Sequence, residues 1–240
     1  MLLAIDVGNT STACVVFRGK AVVHHGCLPT PEKWSAGHFS LLLPAAMAKR
    51  MAAVIVSSVV PALDRGLAAS IRKKTGIQAL FIDHRTPTGF RLKIETPSEL
   101  GADRIADCAG ALALFPPPLI VIDSGTAITF DLVNRRREYC GGCIFPGIGI
   151  AIKSLADHTA KLEEIAFTVP RSPVGTNTGD SIRSGIYFGV IGSLQHLISC
   201  YRRILGSKAR VVATGGLSRY FKGRVAGIDA VVPDLIFLGL

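Results

Sequence analysis

Short apolar runs that stop at a polar residue recur along this chain, and they predict alternating strands and helices. Leu2 to Ile5 is apolar and ends at Asp6, and a tight Gly8-Asn9 bend leads into Ser11 to Phe17, rich in β-branched and apolar residues. That pattern predicts a hairpin. A third strand is expected over Lys20 to His24, then a loop from Pro29 to Ser40, and the stretch from Phe39 to Met51 can form helix around Pro44. Ala53 to Ser57 reads as a buried strand. From Ala62 to Thr75, the residues Leu63, Leu67, Ala68 and Ile71 recur at helical spacing, and Gly76 is placed to end that helix. Gln78 to Ile82 predicts a further strand. Thr96-Pro97-Ser98-Glu99 has the form of a capping box with proline at the first helical position, and helix is expected from Ile105 to Leu114. Pro116, Pro117 and Pro118 stop it, and Leu119 to Ile122 is another apolar strand ended by an aspartate.

An internal symmetry then emerges. Ala4-Ile5-Asp6-Val7-Gly8-Asn9-Thr10 and Val121-Ile122-Asp123-Ser124-Gly125-Thr126-Ala127 share the pattern apolar-Ile-Asp-x-Gly, about half the chain apart. Each copy ends one strand and opens a polar bend into another, Ser11 to Phe17 in the first and Ala127 to Val133 in the second. Either copy alone could be an ordinary strand-to-turn aspartate. Together they predict two similar α/β halves, residues 1–115 and 116–240, facing one another across a cleft.

Composition narrows the class. Of 240 residues, 49% are apolar and 18% charged, and mean hydropathy is +0.41, which excludes a disordered chain. No apolar run approaches the roughly 18–20 residues of a membrane span, and Asp6 falls where a signal peptide would need its apolar core. The six cysteines are spread too widely for a secreted disulfide framework, so a cytosolic protein without a membrane partner is expected. The pair Cys140 and Cys143 has no second pair or histidine partner, and reads as incidental rather than as a metal or redox site. The six histidines lack metal spacing. The net charge of +10 is scattered over expected helix faces and turns, including Arg72-Lys73-Lys74, Arg135-Arg136-Arg137 and Arg202-Arg203. Nucleic-acid binding would gather it into a stripe, so small anionic ligands are the expected partners.

Three bends suit phosphate. Asp6 to Ser11 exposes successive backbone N–H groups with hydroxyls at Thr10 and Ser11, an anion nest in which Gly8 allows close approach. Asp6 repels phosphate, so its role would be to hold Mg²⁺ through water. Asp123-Ser124-Gly125-Thr126 is a second bend, with Thr126 as donor, and Val211 to Gly216 runs into a third at Thr214-Gly215-Gly216. Gly101-Ala102-Asp103-Arg104 is the sharpest candidate for catalysis. Asp103 can accept a proton from a substrate hydroxyl and Arg104 can steady phosphoryl charge, although Asp103 could equally cap a helix beside a solvated Arg104.

In order and spacing, these segments resemble the type III pantothenate kinases, within the superfamily of acetate and sugar kinases, heat-shock ATPases and actin. The resemblance rests on Asp6-Val7-Gly8-Asn9-Thr10, Gly101-Ala102-Asp103-Arg104, Asp123 to Asp131, Gly141 to Gly147, Asn177-Thr178, Ser184 to Gly189 and Thr214-Gly215-Gly216, and reaches Pro233-Asp234-Leu235 and Gly239-Leu240. It implies a duplicated actin-like (ribonuclease H-like) ATPase fold and ATP-dependent phosphorylation of pantothenate, the first step toward coenzyme A. It further implies that Asp6, Val7, Gly8, Asn9, Thr10, Ser11, Thr12, Ala13 and Thr126 contact ATP. Asp103 would be the proton acceptor, and Gly101, Ala102, Asp103, Arg104 and Thr178 would meet pantothenate. Asp123 would bind the monovalent cation, potassium or ammonium, and the enzyme would be a homodimer. The chain departs from the family at Ile94, where a tyrosine is frequent, and at Thr176, where a lysine is, which bears on substrate affinity rather than on phosphate chemistry. Two alternatives share the fold: a nucleotide-binding regulator without turnover, and a kinase for another small hydroxylated acid.

Overall fold

A computed structural model of the chain describes residues 1–159 and 162–240. In chain order the first part holds β1 (Leu2–Val7), β2 (Ser11–Arg18), β3 (Ala21–Pro29), α1 (Ala36–Leu42), α2 (Ala45–Ala48), β4 (Ala53–Ser58), α3 (Pro61–Thr75), β5 (Leu80–Phe81), β6 (Arg91–Leu92) and α4 (Ala102–Leu114). Then come β7 (Leu119–Ser124), β8 (Ala127–Val133), β9 (Glu138–Pro146), α5 (Ile148–Asp157), α6 (Thr178–Leu205), β10 (Arg210–Thr214), β11 (Ala230–Val231) and α7 (Leu235–Gly239).

Two compact units result, Met1–Leu114 with Leu235–Leu240, and Phe115–Asp234. The first sheet runs β3-β2-β1-β4-β5, and the strands of the second unit repeat that order as β9-β8-β7-β10-β11. In both, the leading strand is antiparallel to its successor and parallel to the strand that follows the crossover. The repeated sequence pattern thus marks a repeated topology. β1 and β7 lie inside their sheets, which is why Leu3, Ala4, Ile5 and Ile120, Val121, Ile122 are buried without alternation.

Helix α3 shows how the local signals act. Pro61 occupies its first turn, Leu63, Leu67 and Ile71 are buried, and Gly76 caps it at φ 76° while giving its N–H to Arg72 O at 2.9 Å. Arg72, Lys73 and Lys74 fall in the last turn, where cations complement the helix dipole.

Several elements differ from expectation. The helix expected from Phe39 to Met51 is two short helices, because Pro44 lacks an N–H and forces Leu43 into extended backbone. Thr96–Glu99 is not a capping box: Pro97–Glu99 forms one 3₁₀ turn without a side-chain cap, Leu100 is extended, and α4 starts afresh at Ala102. The third strand runs on to Pro29, and the strand after Gly76 shrinks to two residues. Cys140 and Cys143 both lie on β9, and all six cysteines are free thiols.

The division expected from the repeat, at residues 115 and 116, puts the C-terminal segment in the second half, whereas its packing on α4 puts it in the first. Glycine makes that packing close. A Cβ on Gly110 would run into Leu235 O and lie 3.1 Å from Gly239 N, and one on Gly239 would run into Ala106 O. Alanine at an interior helical position normally gains about 1 kcal/mol over glycine. Here overpacking, typically about 1–3 kcal/mol, outweighs that gain. Gly110→Ala is therefore expected to lower the urea midpoint of unfolding, and an unchanged or raised midpoint would disprove the close α4–α7 contact.

Candidate active site

In the first unit the candidate residues gather at the carboxyl ends of β1 and β4. Asp6 stands in register between Ala13 of β2 and Ser57 of β4, and the fully buried Ser57 donates its hydroxyl to Asp6 Oδ1 at 3.1 Å. Gly8 N–H closes the bend on Ser11 O at 3.0 Å, leaving Asn9, Thr10 and Ser11 exposed. Val7 instead gives its side chain to the core, and Thr12 is fully buried with its hydroxyl 3.0 Å from that of Thr30. Ala13 is half-buried.

The Gly101–Arg104 corner reaches the same end of the sheet through Val59. Val59 N–H bonds Val7 O at 3.0 Å, and a Cβ on Gly101 would lie 3.5 Å from Val59 Cγ1. That Cβ would also run into Asp103 Oδ1, so glycine is what leaves room for the carboxylate. Ala102 is buried in the core, while Asp103 and Arg104 in the first turn of α4 are partly exposed. Asp103 Oδ1 accepts the Arg104 backbone N–H at 2.8 Å. Burial raises the Asp103 carboxyl above its ordinary 3.8, against the opposing pull of that N–H and of the Arg104 charge. The carboxylate is thus both oriented and made more basic, as a proton acceptor requires.

The second unit repeats the bend. Asp123 pairs in register with Thr129 of β8 and Thr214 of β10, as Asp6 does with Ala13 and Ser57. Gly125 N–H closes on Ala127 O at 3.0 Å, and Thr126 at the tip is exposed. Gly215, at φ 85°, presses its backbone against Asp123 Oδ1 and Ser124, where no side chain would fit. The third glycine bend therefore buttresses the second. Thr178 opens α6 and is exposed, behind an Asn177 cap whose Oδ1 accepts Asp180 N–H at 2.9 Å. Beside it lies a cavity of about 340 Å³ whose lining includes Arg171, Thr176, Asp180 and Arg183.

Three contributors had no role assigned from the sequence. Ser57 carried a weak signal, a polar residue closing the apolar run Val54-Ile55-Val56. Thr30 carried none, and Gly147 entered only as the end of the Gly141–Gly147 segment: each follows the proline that ends a third strand, and each gives its N–H to the bend, Thr30 to Thr10 O at 3.0 Å and Gly147 to Thr126 O at 3.1 Å.

A doubled sheet of this order, with an aspartate bend ending the leading strand of each half, defines the actin-like kinase and ATPase fold. Solved structures agree on the fold. A Campylobacter jejuni protein named for the Baf family of transcriptional activators matches with a TM-score of 0.62 at 20% identity, over 99% of this chain and 94% of its own. Component A of the (R)-2-hydroxyglutaryl-CoA dehydratase of Acidaminococcus fermentans matches at 0.53 and 17% identity, over 99% and 95%. Residues 2–200 match the model of the type III pantothenate kinase family. The type III pantothenate kinase of Moorella thermoacetica is 38% identical over 246 aligned residues, covering 100% of this chain and 97% of the relative. The chain belongs to the type III pantothenate kinase family.

A raised carboxyl carries a stability signature. The native Asp103 carboxyl keeps its proton to higher pH than the unfolded one, so the native state binds more protons from the ordinary 3.8 up to the raised value. The contribution is present below the ordinary value and is lost as pH rises through the raised one. Asp103→Asn removes that loss. Its stability relative to wild type, read from urea unfolding, should increase as pH rises from about 4, and a difference independent of pH would refute the burial of this charge.

Proposed function

We propose that this chain transfers the γ-phosphoryl group of ATP to the hydroxyl of pantothenate, the first step toward coenzyme A. The observation that carries the reading is Asp103: a carboxylate oriented by a backbone N–H, raised by burial, and set at the strand end that bears the first glycine bend, in a member of this kinase family.

In this reading the Asp6–Ala13 bend and Thr126 contact ATP. The exposed Asn9–Ser11 backbone meets phosphate oxygens, while buried Val7 and Thr12 support the bend from behind. Gly101 to Arg104 and Thr178 meet pantothenate. Asp103 takes the hydroxyl proton as that oxygen attacks the γ-phosphorus, and the bond to the bridging oxygen breaks with its electron pair leaving on ADP. Arg104 steadies the equatorial oxygens.

The residues fit the ions the family implies. Among the described residues no three His, Cys, Asp or Glu side chains converge, but Mg²⁺ on ATP needs only one or two carboxylates besides phosphates and water. Asp6, fixed by Ser57, offers such a hard oxygen. When bound, that ion supplies charge neutralisation at the phosphates. Asp123, hemmed in by the Gly125 and Gly215 backbones, is the candidate holder of potassium or ammonium. The homodimer belongs to the same proposal, with exposed Ile144 and Ile150 as apolar surface available for it. No described helix is long and apolar enough to cross a membrane.

General-base catalysis typically contributes about 10²–10⁴-fold. In a coupled ADP assay with Mg²⁺ and potassium, wild type should release ADP only with pantothenate, and Asp103→Asn should lower kcat by about that factor while still binding ATP. Wild-type turnover in the variant would remove Asp103 as the base. Silence of the wild type with pantothenate would favour the regulatory alternative, and ADP release with a different hydroxy acid would redefine the substrate.

A further inference from the structure

The corner after each third strand is equivalent in the two units except for its side chain. Pro29 pairs with Ser11 and is followed by Thr30, and Pro146 pairs with Ala127 and is followed by Gly147. Both residues give an N–H to the bend. Only Thr30 adds a hydroxyl, which donates to Gly8 O at 2.6 Å and lies 3.0 Å from Thr12 Oγ1. The second unit has no room for an equivalent, since a Cβ on Gly147 would run into Thr126 O and lie 2.6 Å from Gly125 O.

We infer that Thr30 is a positioning residue that selects the phosphate-binding orientation of the first bend, an inference that rests on the ATP reading above. In a planar trans peptide the C=O and the following N–H point in opposite directions. Tying Gly8 O to the Thr30 hydroxyl therefore turns Asn9 N–H away from Thr30. Tying Thr10 O to Thr30 N–H does the same for Ser11 N–H. Gly8 is the residue of the bend most free to flip, and a flipped Gly8–Asn9 peptide would present a carbonyl to an anion in place of a donor. The hydroxyl holds that peptide in its donor orientation before the nucleotide arrives. The family motif Asp6-Val7-Gly8-Asn9-Thr10 contains the bend but not the residue that orients it.

The test compares Thr30→Val, which keeps shape and backbone N–H but loses the hydroxyl, with Thr30→Ser, which restores it. ATP affinity is measured by calorimetry without pantothenate, alongside KM for each substrate and kcat. Thr30→Val should weaken ATP binding and raise KM for ATP about tenfold, the scale of one or two lost hydrogen bonds. Its KM for pantothenate should stay within about twofold of wild type, and Thr30→Ser should recover most of the ATP affinity. If thermal melting shows Thr30→Val to be unfolded, Thr12→Val replaces it as a milder variant, expected to weaken ATP binding by a smaller factor. Wild-type ATP affinity in a folded Thr30→Val, or failure of serine to rescue it, would overturn the inference. A wild-type protein that binds no ATP would instead defeat the underlying functional reading, and calorimetry on that sample alone separates the two failures.

Discussion

Backbone held against backbone at the carboxyl ends of the central strands is the constraint from which the rest of each unit follows. In both halves the carbonyl at the tip of the first hairpin is tied to the residue after the third strand, by Thr30 N–H to Thr10 O and by Gly147 N–H to Thr126 O. The second bend is crowded from another direction as well, by Gly215 on Asp123 and Ser124. Such contacts tolerate no side chain where the glycines lie. They fix the direction of peptide dipoles, and a fixed dipole can hold an anion without reorganising as the anion arrives.

Asp103 illustrates the cost of that arrangement. Burial disfavours its charged form, so the folded chain is less stable above the raised value than an uncharged residue would leave it. The Arg104 backbone N–H, at 2.8 Å, offsets part of the penalty and also aims the carboxylate. One peptide group thereby limits the destabilisation and orients the proposed base. The helices, by contrast, differ between the units: α5, opened by Gly147, and the long α6 capped by Asn177 lie between β9 and β10, where the first unit has α1 and α2. Duplication of the sheet therefore coexists with divergence of the helices.

Much of this was legible because the informative residues are local. Asp6 and Asp123 each stand one residue from the end of a strand whose other side chains are nearly all apolar, and the glycine two residues on marks a bend. Gly76 ended α3 for an equally local reason. The capping-box reading of Thr96–Glu99 failed because Pro97–Glu99 closes only one 3₁₀ turn before Leu100 extends and α4 starts at Ala102. Thr30 was illegible because its partners, Gly8 and Thr10, are about twenty residues away and meet it only through the β2–β3 register. Likewise the return of Leu235–Leu240 to the first unit depends on the shape match between Gly110 and Gly239, which no periodicity records.

Phosphoryl transfer to pantothenate is read most plainly from the product itself. Pantothenate incubated with the protein, ATP, Mg²⁺ and potassium, then examined by mass spectrometry and phosphorus NMR, should be converted to the ester phosphorylated at its primary hydroxyl, 4′-phosphopantothenate. Recovery of unmodified pantothenate, with ATP intact or hydrolysed to ADP and free phosphate, would contradict the account.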